Sequence, residues 1–240
     1  MKNNVIISIA FVCLVLGIMF STQFRTVKNG GNVNIQRAEE LTNKLNEVQK
    51  ERDGLKKQIN ELESKVSKYE ESASKTSAVT KSLKDELDKY KELAGLSDVE
   101  GPGVIVTIND SDKQLQPGQD QNAFLVHDED LLKVVNELRA AGAEAISLND
   151  QRLISTSEIR CVGPTVNVNS VRYAAPYVIR AIGNPETLDA ALKLKGGVVD
   201  TLSNWGIQIS IKRSDKVLVK KYDGVISFKY AKPYTEGGNK

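Results

Sequence analysis

Three hydrophobic patterns follow one another along the chain, and each predicts a different kind of element. From Val5 to Phe20 the run VIISIAFVCLVLGIMF carries no charge. With Ser21 to Phe24 it reaches roughly 20 residues, the length at which a helix covers a hydrocarbon layer of about 30 Å. A transmembrane anchor is therefore expected over residues 1–24. A cleavable signal peptide is the competing reading, but no pair of small residues takes the minus-three and minus-one places between Gly17 and Gln23. Cys13 follows Val12 and the apolar run continues past it, so a lipid-facing or packing cysteine is expected rather than a lipidated one.

From Ala38 the apolar residues recur in alternating steps of three and four: Ala38, Leu41, Leu45, Val48, Arg52, Leu55, Ile59, Leu62, Val66, Tyr69, Ala73, Thr76, Thr80, Leu83, Leu87, Tyr90 and Ala94. Sustained over about eight heptads, this period of 3.5 predicts the seam of a long coiled coil. In a parallel in-register pair Glu51 faces Lys56, Lys65 faces Glu70 and Glu86 faces Lys91, so the flanking charges favour a parallel homodimer. Small and hydroxylated seam residues make 72–82 the loosest stretch. Fully helical, the stalk measures on the order of 85 Å at 1.5 Å per residue. A charged helix lying on the tail domain is the alternative.

Beyond Gly95 the period falls to two. The pattern predicts a strand at Val104–Ile108 after Gly101-Pro102-Gly103, a helix capped by Asp128 with Leu131, Leu132, Val135 and Leu138 on its apolar face, and a strand at Ala145–Leu148. A hairpin around Gly163-Pro164 follows, with flanks Ile154–Cys161 and Thr165–Val168. Then come a strand Tyr177–Ile182, helices Pro185–Leu194 and Val198–Trp205, and a strand Ile207–Ile211. Val217–Val219 and Val225–Tyr230 are expected to extend the sheet at an edge. The order β-α-β-β-α-β predicts an α+β fold, ferredoxin-like in the tail domain. The expected layout is an anchor over 1–24, a linker over 25–37, a coiled-coil stalk over 38–94, an α/β domain over 99–231 and a polar tail over 232–240.

Composition narrows the function. A net charge of +2, with acids and bases nearly matched, leaves no basic footprint for nucleic acid. One histidine, His127, and no CxxC, HExxH or EF-hand spacing give metal no support. Gly101 and Gly103 lack the Lys-Ser/Thr and following helix of a phosphate loop and are expected to shape the entry into the sheet. No cofactor is expected. Lys2 and the amino terminus on one side of the anchor are balanced by Arg25 and Lys28 on the other, so charge does not orient it.

The segments Asp130-Leu131-Leu132-Lys133-Val134-Val135-Asn136-Glu137-Leu138, Ala141-Gly142-Ala143-Glu144-Ala145-Ile146-Ser147-Leu148-Asn149, Gln151-Arg152, Arg160-Cys161-Val162-Gly163 and Pro176-Tyr177-Val178-Ile179-Arg180-Ala181-Ile182-Gly183 resemble the DUF881 family, whose start Gly101-Pro102-Gly103-Val104 also fits. That resemblance implies an anchor, coil and tail layout in Gram-positive bacteria: a single-pass protein of the cell membrane, N-terminus cytoplasmic, bulk of the chain extracellular. Some members carry a division-initiation label, which implies a setting and not a reaction.

Catalysis has one pair worth naming, Cys161 with His127, and Arg160 beside the cysteine points to the opposite face of a strand. A buried packing cysteine is the expected role, and no enzyme is expected. Asn149, Gln151, Arg152 and Arg160 crowd a strand end and the start of a hairpin, where arginine suits bidentate contact with a carboxylate. They form the candidate binding patch. The competing role for Asn149 and Arg152 is tying down a tight turn. The expected function is a non-enzymatic membrane-anchored envelope scaffold, dimerised by its coil, whose tail binds a protein partner linked to cell division or wall assembly. The alternatives are a sensor for a small envelope molecule and an activator of an envelope hydrolase.

Overall fold

The computed structural model describes residues 2–75, 78–113, 121–232 and 234, with backbone alone for 2–12, 22–38, 74 and 121. The chain divides into two units, Met1–Lys81 and Ser82–Lys240. In the first, helix α1 (Lys2–Ser74) runs without interruption through the expected linker at 25–37. Pairs such as Lys44–Glu40 at 3.3 Å and Lys75–Glu71 at 2.9 Å sit on its exposed surface, each worth a few tenths of a kcal/mol. Helix α2 (Ala78–Leu93) resumes the pattern inside the stretch expected to be loosest. Among the described residues no helix is long and apolar enough to cross a membrane. The expected anchor, 1–24, falls for the most part on side chains outside the described residues.

The second unit is α+β with antiparallel sheets. Helix α2 ends in a Schellman turn: Gly95 takes φ 77°, its N–H donates to the Glu92 carbonyl at 3.0 Å, and the Leu96 N–H donates to the Lys91 carbonyl at 2.8 Å. The chain then enters β1 (Val99–Asn109), which starts five residues earlier than the alternation predicts. Gly101-Pro102-Gly103 is not a turn but part of the strand. Pro102 sits where the register with β8 jumps from Gly101↔Val217 to Gly103↔Ser214, so its missing N–H interrupts nothing, and its carbonyl accepts from the Gly183 N–H at 2.9 Å. Gly103 is required because a Cβ there would overlap the Ala181 carbonyl oxygen.

After β1 come α3 (Asp128–Ala140), β2 (Ala145–Leu148), β3 (Gln151–Arg152), the meander β4 (Ile159–Val162), β5 (Thr165–Val168) and β6 (Val171–Tyr173), then β7 (Tyr177–Ile182), α4 (Pro185–Leu192), α5 (Val198–Asn204) and β8 (Gln208–Val219). The main sheet has the order β3-β2-β7-β1-β8, and β4-β5-β6 form a second sheet. Strands predicted separately at 207–211 and 217–219 are one, β8, whereas Val225–Tyr230 forms no strand. His127 rather than Asp128 is the N-cap of α3, and its own N–H donates to Asp130 Oδ2 at 3.0 Å.

Alternate residues of the main sheet, Val104, Val106, Ile108, Ile146, Leu148, Ile179 and Ala181, face the three helices and share one core with Leu131, Val134, Val135, Leu138, Leu188, Leu192 and Leu202. Val134 takes the place expected for Leu132, which is 38% exposed, because 131, 134, 135 and 138 make the inward stripe at 3.6 residues per turn. Val166, Val168 and Ile159 join the meander to this core. A smaller cluster of Ala145, Ile182, Val217 and Val219 lies on the other face of the sheet.

One buried charge fastens α4 to β8. Asp189 Oδ2 accepts from Arg213 Nη2 at 2.6 Å and Nε at 3.0 Å, and Lys193 Nζ lies 2.6 Å from Oδ1. Burial on its own would raise the Asp189 pKa, but the hydrogen bonds from Lys193 and Arg213 outweigh it and hold it below the ordinary carboxylate value. A depressed carboxyl stabilises the fold above its unfolded pKa, near 3.9, and stops doing so as pH falls through the folded value. Asp189→Asn is thus expected to lose about 1–3 kcal/mol at pH 7, discounted because Arg213 is half exposed. Urea unfolding followed by the fluorescence of the single tryptophan, Trp205, should show this difference shrink at pH 3.

Candidate functional site

The turn from β2 to β3 is made by Asn149 and Asp150, at φ 46° and 65°. Consecutive positive φ values suit the right-handed twist of a two-residue hairpin, and Asn and Asp are the side-chain-bearing residues that accept them best. Asn149 also prolongs the pairing with β7: its N–H donates to the Val178 carbonyl at 2.9 Å, and its Oδ1 accepts from the Val178 N–H at 2.6 Å. Asp150 forms an ion pair with Arg180 at 2.7 Å. Gln151 Nε2 donates to Tyr173 Oη at 2.9 Å, which ties the hairpin to β6.

Strand alternation sends Arg152 to the face opposite Gln151. Its backbone carbonyl accepts from Asn169 Nδ2 at 2.9 Å. Its side chain is 6% exposed and reaches the junction of α2 with β1, where Nη1 donates to the Ser97 carbonyl at 3.5 Å, a long and weak bond. Burial lowers the Arg152 pKa while the charges of Asp98 and Glu92 raise it. Arg160 stands exposed on β4, opposite Asn167 in the other sheet. Of the four residues in the expected patch, three share one hairpin, yet their side chains go to three different places.

Arg152 lines a cleft of about 350 Å³ whose apolar walls include Leu93, Ile146, Leu153, Ile154, Ile226 and Phe228, with Arg139 and Glu144 also in the lining. Two bonds hold the segment after β8 against this junction. The Lys221 N–H donates to Asp98 Oδ1 at 2.7 Å, and the Tyr222 N–H donates to the Gly95 carbonyl at 2.8 Å. Pattern reading takes Gly95 as the point where the period changes and Ile226 and Phe228 as part of an edge strand, and brings none of them to Arg152. The only local signal was an arginine placed directly before Leu153-Ile154.

Cys161 is exposed, not buried as expected. It meets Asp128 at the start of α3: the Asp128 N–H donates to Cys161 Sγ at 3.2 Å, and the Cys161 N–H donates to Asp128 Oδ2 at 2.8 Å. Partial desolvation of the sulfur first, and the negative charges of Asp128 and Asp130 besides, raise the thiol pKa, against a backbone hydrogen bond from Asp128. A nucleophilic cysteine needs the opposite surroundings. Among the described residues, no group of three or more His, Cys, Asp or Glu could hold a metal ion. Iodoacetamide alkylation of Cys161 in a Cys13→Ser background should report an apparent pKa above that of free cysteine. Asp128→Asn should move it down, because a repelling charge is removed.

Over residues 86–232 the chain matches the family model described as a bacterial protein of unknown function, DUF881. UPF0749 protein YlxW of Bacillus subtilis (strain 168) is 30% identical over 226 residues, covering 92% of this chain and 97% of that protein. UPF0749 protein Rv1825 of Mycobacterium tuberculosis is 30% identical over 226 residues, covering 92% of this chain and 74% of that protein. The crystal structure of an uncharacterized conserved protein from Mycobacterium tuberculosis is similar with a TM-score of 0.51 and 33% identity, over 62% of this chain and 99% of that one. By the family match and by relatives of this identity along most of its length, the chain belongs to the DUF881 (UPF0749) family.

Proposed function

We propose that this protein is a non-enzymatic scaffold of the bacterial envelope, anchored in the cell membrane through its N-terminal apolar run, dimerised by a parallel coiled coil, and engaging a protein partner through its tail. The observation that carries the proposal is the seam of α1. Leu41, Leu45, Val48, Leu55, Ile59, Leu62 and Val66 are all exposed, from 42% at Ile59 to 67% at Leu41, along one stripe of a single helix. An apolar stripe of that length in water favours a second helix against it. Complementary flanking charges support the parallel pairing, and two tails on one stalk gain avidity for weak contacts.

The ferredoxin-like reading of the tail finds support in strand order. With the short edge strand β3 and the meander set aside, the elements β1-α3-β2-β7-α4/α5-β8 lie in space as β2-β7-β1-β8, with antiparallel pairing throughout. The partner is expected among division or wall-assembly proteins, with the bulk of the chain outside the membrane and the N-terminus cytoplasmic. A ligand sensor is the second reading, and the cleft at Arg152 is the observation in its favour.

Two experiments test the scaffold. In a Cys13→Ser, Cys161→Ser background, Ile59→Cys should form an intermolecular disulfide, as a seam residue does only in a parallel in-register pair; a failure to crosslink would count against that geometry. Crosslinking with mass spectrometry in cells should capture division or wall-synthesis proteins with the full chain and lose them when residues 99–231 are deleted. Capture of nothing but the protein itself would overturn the scaffold.

A further inference from the structure

Among the described residues two side-chain charges of the tail are buried, and they are treated differently. Asp189 is answered by Arg213 and Lys193. Arg152 is 94% withdrawn from solvent, and its guanidinium makes a single hydrogen bond, 3.5 Å long, to a carbonyl. A guanidinium offers five N–H donors and keeps its proton in a protein, so it cannot escape burial by neutralising itself. Asp98 and Glu92 attract it, yet among the described residues neither closes to an ion pair with it. The Asp98 carboxylate is turned instead to the Lys221 N–H. Arg152 Nε lies 3.4 Å from where a Cβ on Gly95 would stand, and both residues line the cleft.

The surroundings specify what would answer this cation. A single buried positive charge balances one negative charge. Arg139 and Glu144 in the lining offset each other, and with Glu92 and Asp98 nearby a dianionic phosphate would meet more repulsion than a monoanion does. Apart from Arg139, Glu144 and Ser155 the side chains of the wall are apolar, and part of it is exposed: Ile226 is 37% and Phe228 68% accessible, on a segment whose backbone is pinned at Lys221 and Tyr222. At about 350 Å³ the space is at the small end of the ~300–1,000 Å³ typical of ligand pockets.

We infer that this cleft binds the free C-terminal carboxylate of a peptide whose last residues are apolar, with the carboxylate on Arg152 and the side chains against Leu93, Ile154, Ile226 and Phe228. The inference rests on the reading of the tail as a partner-binding module and supplies the partner's chemistry. A fork of N–H donors matches the two carboxylate oxygens, and an apolar wall beside it selects an apolar end over an acidic one.

The test uses a fluorescein-labelled peptide ending in Ala-Leu-Leu, as the free acid and as the C-terminal amide, titrated by anisotropy into the full chain in mild detergent. The acid is expected to bind and the amide to bind about tenfold or more weakly. Arg152→Gln should remove the difference between the two. Phe228→Asp, at an exposed wall position that leaves the core intact, should weaken the acid as well. Equal affinity for acid and amide overturns the carboxylate site, as does an acid affinity that both variants leave unchanged. If Arg152→Gln does not fold, Phe228→Asp with undiminished affinity overturns the inference alone. Tail-dependent capture in cells without peptide binding also overturns this site and leaves the scaffold standing. Peptide binding without any tail-dependent capture overturns the scaffold and leaves a ligand sensor.

Discussion

Strand β1 is hydrogen-bonded along both edges, to β7 on one side and β8 on the other, and the placing of every other element in the tail follows from that. A strand held on both edges must alternate its side chains strictly between two faces. Val104, Val106 and Ile108 therefore define the face that α3, α4 and α5 cover. The close approach of β7 is set by Gly103, whose missing side chain leaves room for the Ala181 carbonyl. Because β1 is also the first strand after α2, the geometry of the sheet begins where the helix stops. The Schellman turn at Gly95 is what converts one into the other.

That junction is reinforced from two distant parts of the tail sequence. The segment following β8 returns to donate two backbone N–H groups, to Asp98 and to Gly95, and Arg152 comes in beneath from the β2–β3 hairpin. Elements far apart in sequence thus converge on residues 95–98. Converging elements leave a concave space at their meeting point, and the cleft is that space. Asn149 contributes indirectly: by extending the pairing of β2 with β7 through its side chain, it fixes where β3 begins and hence which face Arg152 takes.

Much of this fold was legible because period is a robust signal. The helices α1 and α2, the helix at 128–140 and the strands at 145–148 and 177–182 all announce themselves through spacing. Misreadings came where a local signal has two physical outcomes. Gly101-Pro102-Gly103 reads as punctuation, but a bulge absorbs the proline and the strand continues. Val225–Tyr230 has the composition of a strand without one, since two of its apolar residues face the cleft while Val225 and Tyr230 are exposed. Cys161 seemed fit for a core on residue type alone, but the meander is narrow and its first strand is mostly exposed. For the candidate site, pattern reading found Arg152 but gave it the wrong company. Asn149, Gln151 and Arg160 are neighbours in sequence that alternation and a change of sheet disperse, whereas Gly95, Ile226 and Phe228 are neighbours only in space.

The contrast between Asp189 and Arg152 separates a charge that holds the tail together from one that the proposed reading assigns to a partner. Removing a charge from water is costly wherever it happens, and a fold that needs the charge for its own stability surrounds it with partners. Asp189 has them on both oxygens, from its own helix and from β8, and so acts as a fastener. Arg152 has the burial without the partners, and a packed apolar side chain in its place would serve the fold at least as well. Its stem packs under Gly95, so the position has a use for length, but length alone would be met by methionine. What methionine cannot supply is a fork of N–H donors in the lining of a cleft with apolar walls, and that is the property the inferred carboxylate ligand requires.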